Sequence, residues 1–436
     1  MPFQLPVYRK ALPFLALLTV VPFFVFYYCT TIKEAWRGLP QKVGMGEAVP
    51  DPSHTAIAGT RPQTSSNGDG DDAGEEQGEA QLHRPTPSSS WSSIPHFTPG
   101  ASMPGDYAFN MTLVVPRTSS EDTDWMHEYL PDFHKAIYTA DDPTAPLHPP
   151  KNKGHEVMIY LTWIIENYHT LPDVAVFMHA HRYAWHNNEL LDYDAVQMLL
   201  RLSPHRVTRT GYMPLRCHWD PGCPDWMHPG EVIDDVNKQE QKLLAKAWSE
   251  LFPLDPIPET LAQPCCSQFA LSRERIRAIP LHRFTAYRDW LLRTTLSDYF
   301  SGRIWEYLWQ WVFTGEAVHC PAAHVCYCDG FGLCFGGAKP FEEWIDRREK
   351  LRDLEAELED WQEKEKKIGE MMEEGKLDEA AVLEVPEVGR DVWLREQIDE
   401  SKTVLLQTRE DAITRGEDPR LRALEVGRQW VEGDGF

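Results

Sequence analysis

KGHEVMIYLTWIIENYHTLPDVAVFMHAHRYAWHNN, Lys153 to Asn188, carries a helix, a buried strand and a histidine cluster in immediate succession. Val157, Tyr160, Leu161, Ile164, Ile165 and Tyr168 recur at three- and four-residue steps and predict one apolar face of a helix. Leu171-Pro172-Asp173 stops it. The run Val174 to Met178 is apolar throughout, so it predicts a central strand covered on both faces by helices. His179 and His181 follow at once and would share a side if the extended conformation continued. In open α/β sheets ligands bind in the crevice beyond the carboxyl ends of the strands, which is where these histidines fall.

Outward from this segment, composition divides the 436 residues. Residues 11–32, ALPFLALLTVVPFFVFYYCTTI, hold no charged side chain and are long enough for a bilayer, which takes about 20 apolar residues. Arg9 and Lys10 precede the run and Lys33, Glu34 and Arg37 follow, a slight bias toward a cytoplasmic N-terminus. A cleaved signal peptide is the competing assignment, but Cys29-Thr30-Thr31 is a poor cleavage site. The expectation is a signal-anchor of a type II membrane protein: cytoplasmic tail 1–10, anchor 11–32, stem 33–105, luminal domain 106–340 and an acidic tail 341–436. The stem is rich in Pro, Gly, Ser, Asp and Glu and lacks the apolar surface to fold, so it is expected to be disordered. Asn110-Met111-Thr112 is a glycosylation sequon that fits luminal exposure.

The formal net charge of -24 argues against a nucleic-acid partner, since such a face needs clustered Lys and Arg. Much of the acid lies in the stem and tail and says little about a substrate. Trp344, Leu351, Leu354, Leu358, Trp361 and Ile368 among dense Glu and Lys predict a long helix or short coiled coil, and Pro386 separates it from a second helix near Val392 to Arg409. Such a tail could hold a helical protein partner. Cys29 lies in the anchor; the other eight cysteines, Cys217, Cys223, Cys265, Cys266, Cys320, Cys326, Cys328 and Cys334, make an even luminal set. Disulfides are favoured over zinc because Cys326-Tyr327-Cys328 is too tight for a paired zinc knuckle, although His324 sits among the thiols. The glycines at 330, 332, 336 and 337 predict a loop-rich lobe.

Several chemistries are removed by what is missing. His155-Glu156 matches the first half of H-E-x-x-H, but Ile159 stands where the second His is required. No G-x-S-x-G elbow and no G-x-x-x-x-G-K phosphate loop occurs. Asp192-Tyr193-Asp194 has the D-x-D form that holds a divalent metal against a nucleotide diphosphate, yet Asp194 precedes a helix and is a natural N-cap. His179, His181 and His186 occupy the strand end where an acidic pair would be expected. The acids before Trp125, Asp122 among them, follow a first strand, Met111 to Val115, and precede a helix; they could face a ligand or cap that helix. Arg303 and Glu306 share a helix face among tryptophans, as an acid–base pair or as a buried ion pair.

Val114-Val115-Pro116-Arg117, the acids before Trp125, Asn152-Lys153-Gly154-His155-Glu156, Leu171-Pro172-Asp173-Val174, Phe177-Met178-His179, Trp185-His186-Asn187, Cys265-Cys266-Ser267-Gln268-Phe269 and Ser301-Gly302-Arg303 together closely resemble one family. It is a fungal-rich family of membrane-anchored proteins labelled only as a domain of unknown function. The resemblance covers about residues 107–336 and leaves out stem and tail. The family looks like a divergent relative of GT-A glycosyltransferases, which implies an α/β fold with a GT-A-like, Rossmann-related mixed sheet flanked by helices. It also implies a Golgi or ER enzyme that moves a sugar from a nucleotide-sugar donor to an acceptor. In that scheme Glu306 is the acceptor base with Arg303 beside it, and His179, His181, His186, Arg117, Asp122 and Trp125 line the donor site. A divalent metal is the cofactor left open, because the acidic pair of that fold is absent. A catalytically inactive luminal binding protein and a metal-dependent hydrolase on the same histidines are the alternatives.

Overall fold

Leu113, Val114 and Val115 have no solvent exposure, so the first strand is covered on both faces, as an all-apolar run requires. A computed structural model describes residues 94–232 and 235–435. The expected cytoplasmic tail at 1–10, the anchor at 11–32 and most of the stem at 33–105 lie outside the described residues. Strands β1 (Met111–Arg117), β2 (His134–Thr139), β3 (Val174–Phe177), β4 (Tyr212–Pro214) and β5 (Phe269–Ser272) form one sheet in the order β2-β1-β3-β5-β4. β1 runs parallel to β2, with Val115 opposite Ile137, and parallel to β3, with Leu113 opposite Val176. β5 is antiparallel to β3, with Val176 opposite Ala270, and β4 is antiparallel to β5. Because β2 and β3 flank β1, the chain reverses its direction of winding between β1 and β3. This is the switch point at which α/β sheets open a crevice.

The helices are α1 (Asp124–Tyr129), α2 (Glu156–Asn167), α3 (Ala195–Arg201), α4 (Pro204–Thr210), α5 (Gln241–Leu251), α6 (Arg273–Arg277), α7 (Leu281–Arg293), α8 (Asp298–Glu306), α9 (Trp309–Thr314), α10 (Ala323–Phe331), α11 (Ala338–Glu373), α12 (Leu377–Ala380), α13 (Arg390–Gly416) and α14 (Pro419–Glu425). The spacing predicts a one-faced α2, but every residue from Val157 to Ile164 is buried. α2 is enclosed because the sheet, α7 and α8 all pack on it. Side-chain alternation gives the sheet two cores. On one face Tyr160 meets Phe177 and Phe269 with ring centroids 5.0 and 5.8 Å apart, backed by Trp309. On the other, Leu113, Val176, Met213 and Ala270 join Leu199, Tyr327 and Phe331.

Ile94–Leu251 and the described residues from Ile257 onward form one compact unit. Residues 94–105, expected in the stem, are packed on this unit: Ile94 is buried and the Gly100 N–H donates to the Arg209 carbonyl at 2.8 Å. The acidic tail folds as an antiparallel hairpin of α11 and α13, tied by the Trp344 indole donating to the Leu405 carbonyl at 3.1 Å. Its base is part of the domain core through Phe341, Trp344, Leu351, Ile398 and Leu405. Among the described residues no helix is long and apolar enough to cross a membrane.

All eight expected cysteines are paired: Cys217–Cys326, Cys223–Cys320, Cys265–Cys266 and Cys328–Cys334. The expected loop-rich lobe is in part a helix, α10, and Gly332 ends it at φ 71°. Glycine is the residue that accepts this left-handed position without strain.

Candidate functional site

The loop that leaves β1 and the loop that leaves β3 meet at the switch point. Glu121, four residues beyond β1, brings Oε1 to within 2.8 Å of the His181 Nε2. The Glu121 carboxylate is anchored by the Thr118 N–H at 2.5 Å and the Thr118 hydroxyl at 2.9 Å. Burial raises its pKa, but hydrogen bonds from His181 and Thr118 outweigh that and hold it below the usual value. The His181 side chain keeps 38% of its exposure, so an ionised, oriented carboxylate supports an imidazole that solvent or a ligand can reach. Such a pair can take or give a proton.

The loop around it is fixed by its own polar groups. The Trp125 indole donates to the Ala180 carbonyl at 2.9 Å, which locks α1 to the loop after β3. The His179 N–H donates to Gln268 Oε1 at 3.0 Å, and the Gln268 amide donates to Asn187 Oδ1 at 3.1 Å. Asn188 bridges the Leu215 carbonyl and the Cys217 N–H. His179 and His186 pack edge to face with centroids 4.5 Å apart. Burial, reinforced by His181, pulls His179 down to about 4, and burial with His179 lowers His186 as well, so both are neutral at physiological pH. The strand ends at Phe177, so the alternation that would place His179 and His181 on one side does not continue. His181 reaches Glu121, while His179 turns inward.

Arg117 ends β1 half-buried, with Nη1 donating to Thr123 Oγ1 at 3.1 Å. Asp122 accepts the Asp124 N–H at 2.8 Å, a turn bond at the start of α1. The D-x-D triplet is engaged elsewhere. Asp194 caps α3 through the Val196 N–H and pairs with Arg182, and Asp192 is gripped by Arg409 of α13 at 3.0 and 2.8 Å.

A second polar group lies beside the histidines. His155, at φ 51°, precedes α2, and the Gly154 and His155 N–H groups both donate to Asp298 Oδ1. A Cβ at Gly302 would overlap the His155 ring, so glycine there lets α8 approach. Glu156 is pushed up to about 7 by burial, with Glu306 and Asp298 adding repulsion and a backbone hydrogen bond opposing it. Glu306 accepts the Cys266 N–H at 2.8 Å and Arg303 at 3.2 Å, and Arg303 also holds Glu240 at 2.9 Å. Cys266 and Ser267 have positive φ as His155 does, so three strained residues converge on this group. His155 acts electrostatically on His179 and is itself acted on by Glu306 and Arg303, which makes the two groups neighbours.

The expected Glu306–Arg303 contact is therefore present, as part of a Glu240–Arg303–Glu306 triad. Glu121, Glu156 and Gln268 are site residues to which the sequence assigns no role. Glu121 was visible only as one of several acids before Trp125, since its partner is 60 residues away. Among the described residues, three-ligand groups converge at Cys265, Cys266 and Glu306 and at Cys328, Cys334 and Glu425. In each the two sulfurs are bonded to one another and are not thiolate ligands.

Residues 113–329 match the family profile described as "Protein of unknown function (DUF3431)", so the chain carries a DUF3431 domain. No curated protein and no solved structure matches the chain significantly.

Proposed function

With a DUF3431 domain at 113–329 as the premise, we propose that the chain is a glycosyltransferase-like enzyme of the secretory pathway. It moves a sugar from an activated donor to an acceptor in the crevice between β1 and β3. The observation that carries this reading is the Glu121–His181 pair, 2.8 Å apart, at the switch point of a mixed sheet that begins βαβ. A GT-A-like fold would seat its donor there, and the four disulfides favour an oxidising lumen.

In this mechanism His181 Nδ1 removes the proton of the acceptor hydroxyl, and Glu121, held on Nε2, fixes the ring and stabilises the imidazolium that forms. The acceptor oxygen then bonds to the anomeric carbon as the bond to the donor phosphate breaks. Arg117 at the end of β1 is the cation this scheme assigns to the departing diphosphate, and a divalent metal would share that charge if the donor brings one. His179 and His186, neutral through burial, contribute hydrogen bonding and shape. Glu306 is saturated by Arg303 and the Cys266 N–H, which favours the buried ion pair over the acceptor base.

The same saturation favours a second reading, a catalytically inactive luminal binding protein. Thermal stability and product formation of the full chain against a panel of nucleotide sugars, with and without manganese, separate the two. Turnover with one donor, lost in His181→Ala and Glu121→Gln, supports the enzyme. A stability shift without turnover supports the binding protein. No response to any donor, in wild type or variants, sinks the transferase reading.

A further inference from the structure

Cys265 and Cys266 are neighbours in the chain and are bonded to each other, with Cα atoms 3.7 Å apart. Disulfides usually span about 4.4–6.8 Å between Cα atoms, a separation that adjacent residues cannot reach across a peptide bond. The ring of an adjacent pair therefore closes by distorting the backbone. Cys266 stands at φ 89° and Ser267 at φ 51°, two successive residues with side chains in the left-handed region. The other three bonds join cysteines 109, 97 and 6 residues apart, and none of those cysteines has a positive φ. A disulfide that strains its surroundings is the more easily reduced one.

The strained pair sits between fixed points of the candidate site. The Cys266 N–H donates to Glu306 Oε1 at 2.8 Å. Two residues on, Gln268 Oε1 accepts the His179 N–H at 3.0 Å, and its amide donates to Asn187 Oδ1 at 3.1 Å. Phe269 then enters β5. Cys266 and Ser267 thus lie between the contact to the acid group and the glutamine that holds the histidine loop. While the ring is closed, Cys266 is kept at a positive φ that a residue with a Cβ otherwise leaves. An open pair is free to return to negative φ, and the Cys266 N–H then turns away from Glu306.

We propose that Cys265–Cys266 is a redox site opened by a dithiol reductant, and that its opening releases the segment 266–268 from Glu306 and loosens the loop of His179. Cys266 keeps 8% of its exposure and Cys265 3%, so Cys266 Sγ is the sulfur attacked. One reductant thiolate forms a mixed disulfide with Cys266, while Cys265 leaves as a thiolate and takes up a proton. The second reductant thiolate then attacks the reductant's own sulfur in that mixed disulfide, and Cys266 leaves and is protonated in turn. Two electrons and two protons pass from the dithiol to the protein, and the dithiol ends as a cyclic disulfide. The oxidised chain holds the candidate site assembled and the reduced chain loosens it, whichever reaction that site performs.

The full chain is equilibrated in mixtures of reduced and oxidised dithiothreitol, its free thiols are trapped with N-ethylmaleimide, and the labelled cysteines are located by peptide mass spectrometry. Cys265 and Cys266 should become labelled together at a reduced-to-oxidised ratio about 100-fold lower than the one that opens Cys217–Cys326 or Cys328–Cys334. Opening at the same ratio as those pairs, or at a higher one, overturns the proposal. At the ratio where only Cys265–Cys266 is open, amide hydrogen exchange should quicken over residues 265–270 and 178–187 and stay unchanged over the helix 390–416, which reports that the chain is still folded. Unchanged exchange at 178–187 overturns the coupling to the histidine loop. The double variant Cys265→Ser, Cys266→Ser should show the same faster exchange without any reductant. Exchange in that variant equal to oxidised wild type would mean that the bond holds nothing in place, and would overturn the proposal as well. If the variant does not fold, the wild-type titration and exchange decide the matter alone.

Discussion

Glu156 offers a test of the electrostatics beside the crevice that needs no substrate. Its carboxyl is held up at about 7 against an ordinary 4.5, first by burial and then by Glu306 and Asp298. A raised carboxyl pKa means that the folded protein binds this proton more tightly than the unfolded chain does. The resulting stabilisation is complete below pH 4.5 and is lost as pH rises through about 7. At about 1.4 kcal/mol for each pH unit between the two values, wild type forfeits about 3 kcal/mol by pH 8.5. Glu156→Gln keeps the shape, but it never ionises. With an unfolding entropy of about 2.1 cal/mol/K per residue over about 340 residues, the variant should melt about 5 °C above wild type at pH 8.5. At pH 4.5 the two should melt together. Differential scanning calorimetry at both pH values measures this, with the exposed Glu342→Gln as the control for lost charge. Equal melting temperatures at pH 8.5, or the same difference at both pH values, would refute the claim that burial keeps Glu156 protonated.

Glu189 shows the opposite sign. Burial raises its pKa, but His218, Arg348 and Arg352 together bring it down to about 2. Its contribution is present above pH 4.5 and lost as pH falls through 2, so Glu189→Gln should cost about 3 kcal/mol in urea unfolding at pH 7 and little at pH 2. The Cys217–Cys326 disulfide spans 109 residues. Replacing both cysteines with Ser should therefore lower stability by about 4–5 kcal/mol on the chain-entropy account, read as an earlier urea midpoint. Removing residues 338–436 strips Phe341, Trp344, Leu351, Ile398 and Leu405 from the core. The shortened chain should bind a hydrophobic dye and lose near-ultraviolet dichroism, and a well-packed soluble fragment would show that the tail is dispensable.

Much of the scaffold is legible along the chain. The strands at Met111 and Val174 and the helix between them follow from apolar runs and their period. Asp194 as an N-cap and the pairing of eight cysteines follow from residue chemistry. The buried far side of α2 does not follow, because a helix covered all round differs from an amphipathic one only through what packs on it. The tail reads as a solvated extension by composition, yet its base is core, since Trp344 and Leu405 meet across a hairpin turn that the charge pattern does not reveal.

What the sequence determines by itself is therefore local: where strands and helices form, where histidines follow a buried strand, and which cysteines are free to pair. The tertiary structure alone decides that His181 meets Glu121, that His179 is neutral and that Glu156 holds its proton. It also decides that Arg206 and Arg209 share the Asp329 carboxylate. The reason is physical. Periodicity and capping depend on neighbours within one or two turns, whereas desolvation and charge pairing depend on groups brought together from segments tens to hundreds of residues apart.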